Sequence, residues 1–89
     1  MKFEWDQEKS LRNLKKHGIS FKDAIEIFLG IHIRIELESD DEARWAAIGK
    51  AEKRFYTAIY TLRKNKIRLI SVRRSRKDEE NYYGQIFRN

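Results

Sequence analysis

The chain has no cysteine, no proline and only four glycines among its 89 residues. Without cysteine there is no disulfide framework, no thiol nucleophile and no thiolate zinc site, a silence that fits the cytoplasm. With so little proline and glycine, and with hydrophobic residues spread along the whole length, nothing suggests a linker or a disordered tail. No apolar run approaches the roughly 20 residues of a membrane span, and "MKFEWDQEKS" lacks the apolar core of a signal peptide. A soluble protein with no membrane association is expected, with residues 1–89 forming one domain around one modest core.

Charge is what the chain has in quantity. Lys and Arg number 20 against 14 Asp and Glu, a net charge of +6 with a pI near 9.7. Such a balance is the electrostatic footprint of a protein that meets nucleic acid or an acidic partner.

"WDQEKSLRNLKKHG" reads as a first helix. Asp6 is placed to cap it, Glu8 suits the first turn, Lys15, Lys16 and His17 suit the last, and Gly18 stops it. At 100° per residue Leu11 and Leu14 share a face that should meet the core. Lys9, Arg12, Asn13 and Lys16 share the opposite one, turned to solvent or ligand. Ser20 opens a second helix, whose Phe21, Ala24, Ile25, Phe28 and Leu29 form a buried stripe ended by Gly30.

From Ile31 the period becomes two. Ile31, Ile33, Ile35 and Leu37 alternate with His32, Arg34, Glu36 and Glu38, which marks a strand with one buried face and predicts a cross-strand charge pair for His32. "SDDEA" is a turn, and "RWAAIGK", "FYTAIYTLR" and "IRLISVR" are further strands joined by links of hairpin length. Ser75 with Asp78 repeats the capping pattern before a last helix with Tyr82, Tyr83, Ile86 and Phe87 on its apolar face, Tyr82 facing the core. The expected fold is α+β. Two N-terminal helices and one C-terminal helix pack on a four-stranded antiparallel sheet, with room for a short "KFEW" strand in front.

Two basic groups could carry chemistry. In "KKHGIS", Lys16 and His17 close a helix and Gly18 supplies its left-handed cap, so every residue already has a structural role. Yet Lys9, Arg12 and Lys16 project together with His17 on their flank, and a histidine can exchange protons near neutrality beside a phosphate backbone. In "RLISVRRSRK", strict alternation puts Leu69, Ser71 and Arg73 on one side and Arg68 and Arg74 on the other, although a bulge would reverse the phase of Arg68. Arg73 either clamps a phosphate with its planar fork or pairs with Glu79 in a structural salt bridge. Tyr83 is open to stacking or hydrogen bonding. There is no His-Glu-x-x-His and no glycine-rich phosphate loop, and the two histidines are too far apart to form a helical pair. No metal and no cofactor are therefore expected.

"FEWDQEKSLRNLKKHGISFKDA" closely resembles the opening of the BrnT family of toxins. The shared pattern falls on Phe3, Trp5, Asp6, Lys9, Asn13, Lys16, His17, Gly18, Ile19, Ser20, Phe21 and Ala24. Arg44 and Gly49 in "RWAAIG" resemble a later segment, as do Arg68, Ile70, Ser71, Arg73, Glu79 and Tyr83 near the end; Val72 and Ser75 stand where the family usually has alanine. The resemblance implies a RelE-like ribonuclease toxin produced with a BrnA-like ribbon-helix-helix antitoxin, through which it would meet operator DNA indirectly. On that footing the expected reaction is metal-free attack of a ribose 2′-OH on the adjacent phosphate of an RNA substrate, which needs proton transfer and cations around a crowded phosphorane. The candidate catalytic residues are Lys16, His17, Arg44, Arg73, Glu79 and Tyr83. The candidate RNA contacts are Lys9, Arg12, Asn13, Arg68, Ser71 and Arg74. The competing expectation is a non-catalytic basic module that holds an acidic protein or nucleic acid.

Overall fold

The structure is a computed structural model and describes residues 1–88. Its elements run β1 (Lys2–Glu4), α1 (Gln7–His17), α2 (Phe21–Leu29), β2 (His32–Leu37), β3 (Arg44–Ala51), β4 (Arg54–Arg63), β5 (Lys66–Arg74) and α3 (Lys77–Phe87). The strands form one sheet in the order β1-β5-β4-β3-β2. The antiparallel meander of β2 to β5 is as expected, but the sheet has five strands and is mixed, because β1 pairs parallel to β5 with Glu4 beside Arg68. Three residues are too few to show a period, and β1 is held by its side chains: Phe3 meets Phe28 edge-on at 5.3 Å.

Strand alternation divides the sheet into two covered faces. Ala47, Gly49, Tyr56, Ala58, Tyr60, Leu69 and Val72 face α1 and α2, where the main core lies. At Gly49 an added Cβ would stand 3.1 Å from a methyl of Ile27 and from Cβ of His32, so glycine lets α2 lie this close to the strands. In α2 the buried stripe is Phe21, Ala24, Ile27 and Phe28. Ile25 is only half-buried and Leu29, at the helix end, projects past the sheet into solvent.

The expected orientation of α1 is corrected. Leu11 and Leu14 are 58% and 46% exposed, whereas Ser10 and Asn13 are buried. The polar residues go inward because backbone groups need them: the Phe21 N–H donates to Ser10 Oγ at 2.9 Å. His32 is also turned inward, edge-on to Phe28 at 5.6 Å with Nδ1 2.9 Å from the Gly30 carbonyl, so it makes no charge pair. Ile33 is buried on the opposite face, Ile35 and Leu37 are half-buried there, and Ile31 is exposed.

α3 covers part of that second face, and its own packing is thin. None of its residues is buried; Tyr82 is exposed and Tyr83 is the side chain that turns inward. Its N-cap is Arg76 rather than Ser75, whose hydroxyl lies 2.8 Å from Thr57 Oγ1.

The register slips where β4 meets β5: Ile59 is opposite Ser71 but Tyr60 is opposite Leu69, leaving Ile70 as an extra residue. This bulge reverses the alternation. Leu69 and Val72 consequently share the core face, and Arg68, Ser71 and Arg73 share the other.

The two tight hairpins, β3–β4 and β4–β5, each turn on two residues held at positive φ, Glu52 and Lys53 (53° and 66°) and Lys64 and Asn65 (50° and 67°). The right-handed twist of the strands favours this turn, yet three of the four residues carry side chains that disfavour it. Replacing Lys53 with glycine should raise stability by about 0.5–1 kcal/mol, measured by thermal melting. An unchanged or lower Tm would show that this turn is not strained.

Candidate functional site

Glu79 is the focus of the most connected polar cluster. Arg73, the penultimate residue of β5, donates Nη1 to Oε1 at 2.8 Å and Nη2 to Oε2 at 2.9 Å, the two-pronged geometry in which guanidinium binds carboxylate best. Thr57 Oγ1, from β4, donates to Oε1 at 3.0 Å, and the Arg76 N–H donates to the same oxygen at 2.8 Å. The Arg73 guanidinium, with help from these donors, holds the Glu79 carboxyl down at about 2, and Glu79 in turn raises Arg73. The two side chains are only 25% and 18% exposed, so this is no screened surface pair. The phosphate-clamp expectation for Arg73 is thereby altered, because the fork already holds Glu79. Nη1 also reaches the Arg74 carbonyl at 3.3 Å, while Nε–H and one Nη2 hydrogen have no partner among the described residues.

Thr57 did not stand out in the sequence and Ser75 did so only as a helix cap, although the threonines of "YTAIYTL" fall out of phase with the core tyrosines. Threonine in place of a charged residue at those positions is the signal that the second face is covered too.

Asn13 leaves the set of candidate RNA contacts. It is 6% exposed, its Nδ2 donates to the carbonyls of Ile19 and Val72, each at 2.9 Å, and its Oδ1 accepts the Val72 N–H at 3.0 Å. Beyond Glu4 the edge of β5 has no strand partner, and the Asn13 amide takes the place of one. Both amide hydrogens are engaged, so none is left for a ligand.

That bracket sets the position of α1 beside β5. β1 pairs Glu4 with Arg68, and Asn13 then meets Val72, so the helix advances toward the strand end that carries Arg73 and Arg74. Lys16 is exposed and His17 half-buried, one turn beyond Asn13. Gly18 takes the left-handed cap at φ 77° and donates its N–H to Leu14 at 2.9 Å, so the punctuating role of this segment is realised. Lys9 and Arg12 are exposed on the outer side of the helix. Arg74 lies on the core side of β5, its guanidinium 5.7 Å from the Tyr56 ring.

The remaining candidates fall elsewhere. Arg68 is opposite Thr61, four residues along β4 from the Thr57 that faces Arg73, or about 13 Å at strand rise. There its Nη1 donates to Glu4 at 3.2 Å, and Lys66 stands 4.0 Å from the same carboxylate. Arg44, exposed at the start of β3, belongs to this far end, where the hydrogen bond from Arg63 lowers the Glu42 carboxyl and the charges of Arg44 and Arg68 add to it. Ser71 lies between the two ends, opposite Ile59. Tyr83 meets Phe55 edge-on with centroids 4.9 Å apart and donates its hydroxyl to the Ile31 carbonyl at 3.2 Å. The structure therefore gathers Arg73, Glu79, Thr57 and Ser75 with Tyr83 nearby, and separates Arg44 and Arg68 from them.

A family model described as "Ribonuclease toxin, BrnT, of type II toxin-antitoxin system" matches residues 5–79. The chain belongs to the BrnT toxin family. The match contains Lys16, His17, Arg73 and Glu79 and stops before Tyr83. No curated protein matches the chain closely enough to count as a relative. In this BrnT chain no His, Asp or Glu group suited to a metal ion occurs among the described residues, and none of its described helices is long and apolar enough to cross a membrane.

Two measurements follow from this geometry. Asn13→Leu should destabilise the fold by roughly 2–4 kcal/mol, because it orphans buried backbone groups of Val72 and Ile19, while Lys9→Ala stays within about 0.5 kcal/mol; urea titration separates them. Glu79 has a depressed pKa, so its contribution is whole above the ordinary carboxylate value of 4.5 and is lost as pH falls toward about 2. The stability gap between wild type and Glu79→Gln, on the order of 3 kcal/mol at neutral pH, should shrink across that window. A gap that stays constant from pH 6 to 2 would contradict the ion pair.

Proposed function

We propose that this chain is an endoribonuclease that cuts RNA by attack of a ribose 2′-OH on the adjacent phosphodiester, without a metal, and so inhibits translation. The observation that carries this is the bond between α1 and β5: Asn13 holds Val72, one residue before Arg73, and the basic last turn of the helix follows Asn13. Arg73 is itself fixed by Glu79, with Nε–H and one Nη2 hydrogen without a partner among the described residues. A phosphate placed there would meet an oriented guanidinium and the Lys16 ammonium, the charges that stabilise a dianionic phosphorane. His17 is the proton-transfer group of this reaction and Glu79 positions Arg73. Thr57 and Ser75 support Glu79, and Tyr83 anchors α3 over the site. Lys9, Arg12, Arg74, Ser71, Arg68 and Arg44 serve as outlying RNA contacts, the last two from the far end of the sheet.

Family membership supports an antitoxin partner, and the net charge of +6 suits an acidic segment of it. The partner we infer is a BrnA-like ribbon-helix-helix protein, which would bring the complex to operator DNA while the toxin acts in the cytoplasm. One observation favours the non-catalytic alternative: the Arg73 fork is already filled by a carboxylate, as it would be in a purely structural pair.

Mapping transcript 5′ ends after brief induction in bacteria decides between them. Wild type should create new ends, and His17→Ala, which leaves the Arg73 pair intact, should reduce them by about 10²-fold or more while circular dichroism stays unchanged. No new ends from soluble wild-type protein would leave the binding module standing; full activity of folded His17→Ala would remove the histidine from the chemistry.

A further inference from the structure

Beside the Glu79 cluster a row of rings runs across the surface. Lys50 Nζ stands 5.1 Å from the centroid of Phe55, Phe55 lies 4.9 Å from Tyr83, and Tyr83 lies 4.8 Å from Phe87. Each inner ring has a neighbour on both sides: Phe55 has the Lys50 cation and Tyr83, and Tyr83 has Phe55 and Phe87. Phe87 ends the row and is 42% exposed. A phenylalanine needed only to fasten α3 to the sheet would be covered, yet no residue of α3 is buried.

We infer that Phe87, backed by Tyr83 and Phe55, is a stacking platform for a base of single-stranded RNA flanking the cleaved bond. The inference rests on RNA being the ligand, as proposed above, and adds a subsite whose outer rings, Tyr83 and Phe87, lie beyond the residues that the family model matches. Three observations point to a nucleobase. Phe87 is part-exposed at the end of the row, and exposed rings beside cations are the surface on which unpaired bases stack. Lys50 and Arg88, both exposed, flank the two ends of the row with positive charge. Finally, α3 carries the row away from the clamp: Phe87 is eight residues from Glu79, or about 12 Å along the helix. That span places the platform beyond the nucleotide whose phosphate Arg73 would hold. It therefore governs affinity and base preference, not the bond-breaking step.

The test is binding of a fluorescein-labelled 2′-O-methyl RNA oligomer, which cannot undergo 2′-OH attack, read by anisotropy alongside an abasic strand of equal length and charge. Phe87→Leu keeps an apolar contact with Tyr83 but has no π-face; Phe87→Trp enlarges the face. Wild type should bind the base-bearing strand more tightly than the abasic one. Phe87→Leu should bind the base-bearing strand at least about fivefold more weakly, leave the abasic strand unaffected and so narrow the difference, and Phe87→Trp should retain it. Equal binding by wild type and Phe87→Leu, an equal loss on both strands, or no binding of either strand overturns the platform. Cleavage is scored separately on unmodified RNA: protein that binds as expected but does not cut would defeat the ribonuclease function and leave the platform intact.

Discussion

The contact on which the functional end of the molecule depends is the Glu79 carboxylate. It accepts from both arms of Arg73, from the Thr57 hydroxyl and from the Arg76 N–H, and so ties β5, β4 and the first turn of α3 together. Because α3 buries no residue of its own, hydrophobic area does little to hold it. The carboxylate, the Tyr83 hydroxyl on the Ile31 carbonyl and the ring row replace that missing burial. A few directional contacts can fix a helix this way, at the cost that losing one of them loosens all.

The second determinant is the bulge at Ile70. In an unbroken strand, Leu69 and Arg73 would share a face, so burying the leucine would bury the guanidinium as well. One extra residue resolves the conflict: Leu69 and Val72 enter the core while Arg73 turns to the side where Glu79 and Thr57 wait. Packing and site geometry are thus set by the same irregularity.

Much of this was legible from residue patterns. The period of two from Ile31 to Leu37, the hairpin-length links and the Gly18 cap mark elements that the structure contains, because short-range sterics and capping decide them. What failed did so where a polar side chain satisfied buried backbone. Hydropathy sends Leu11 and Leu14 inward and Asn13 outward, but an amide that completes the edge of β5 is worth more inside than a leucine, so α1 is rotated accordingly. Arg44 and Arg68 are a different case. Their residue type suits a phosphate site, yet only the register reveals that they lie at the far end of the sheet among Glu4, Glu42 and Arg63.

The pairing of Arg73 with Glu79 divides attraction from orientation. A bidentate ion pair is nearly neutral from a distance, so Arg73 would contribute little to drawing in the proposed RNA, and that role would fall to the exposed cations of α1 with Arg74, Arg76 and Lys77. At close range the balance changes. Glu79 meets the guanidinium only along its two Nη prongs, leaving Nε–H and one Nη2 hydrogen as donors with a fixed direction, and a guanidinium already held in place loses little rotamer freedom when a phosphate arrives. A free lysine would attract more strongly and orient less. For the phosphodiester proposed above, the oriented and partly neutralised arginine is the better physical solution, provided that the surrounding charge brings the strand to it.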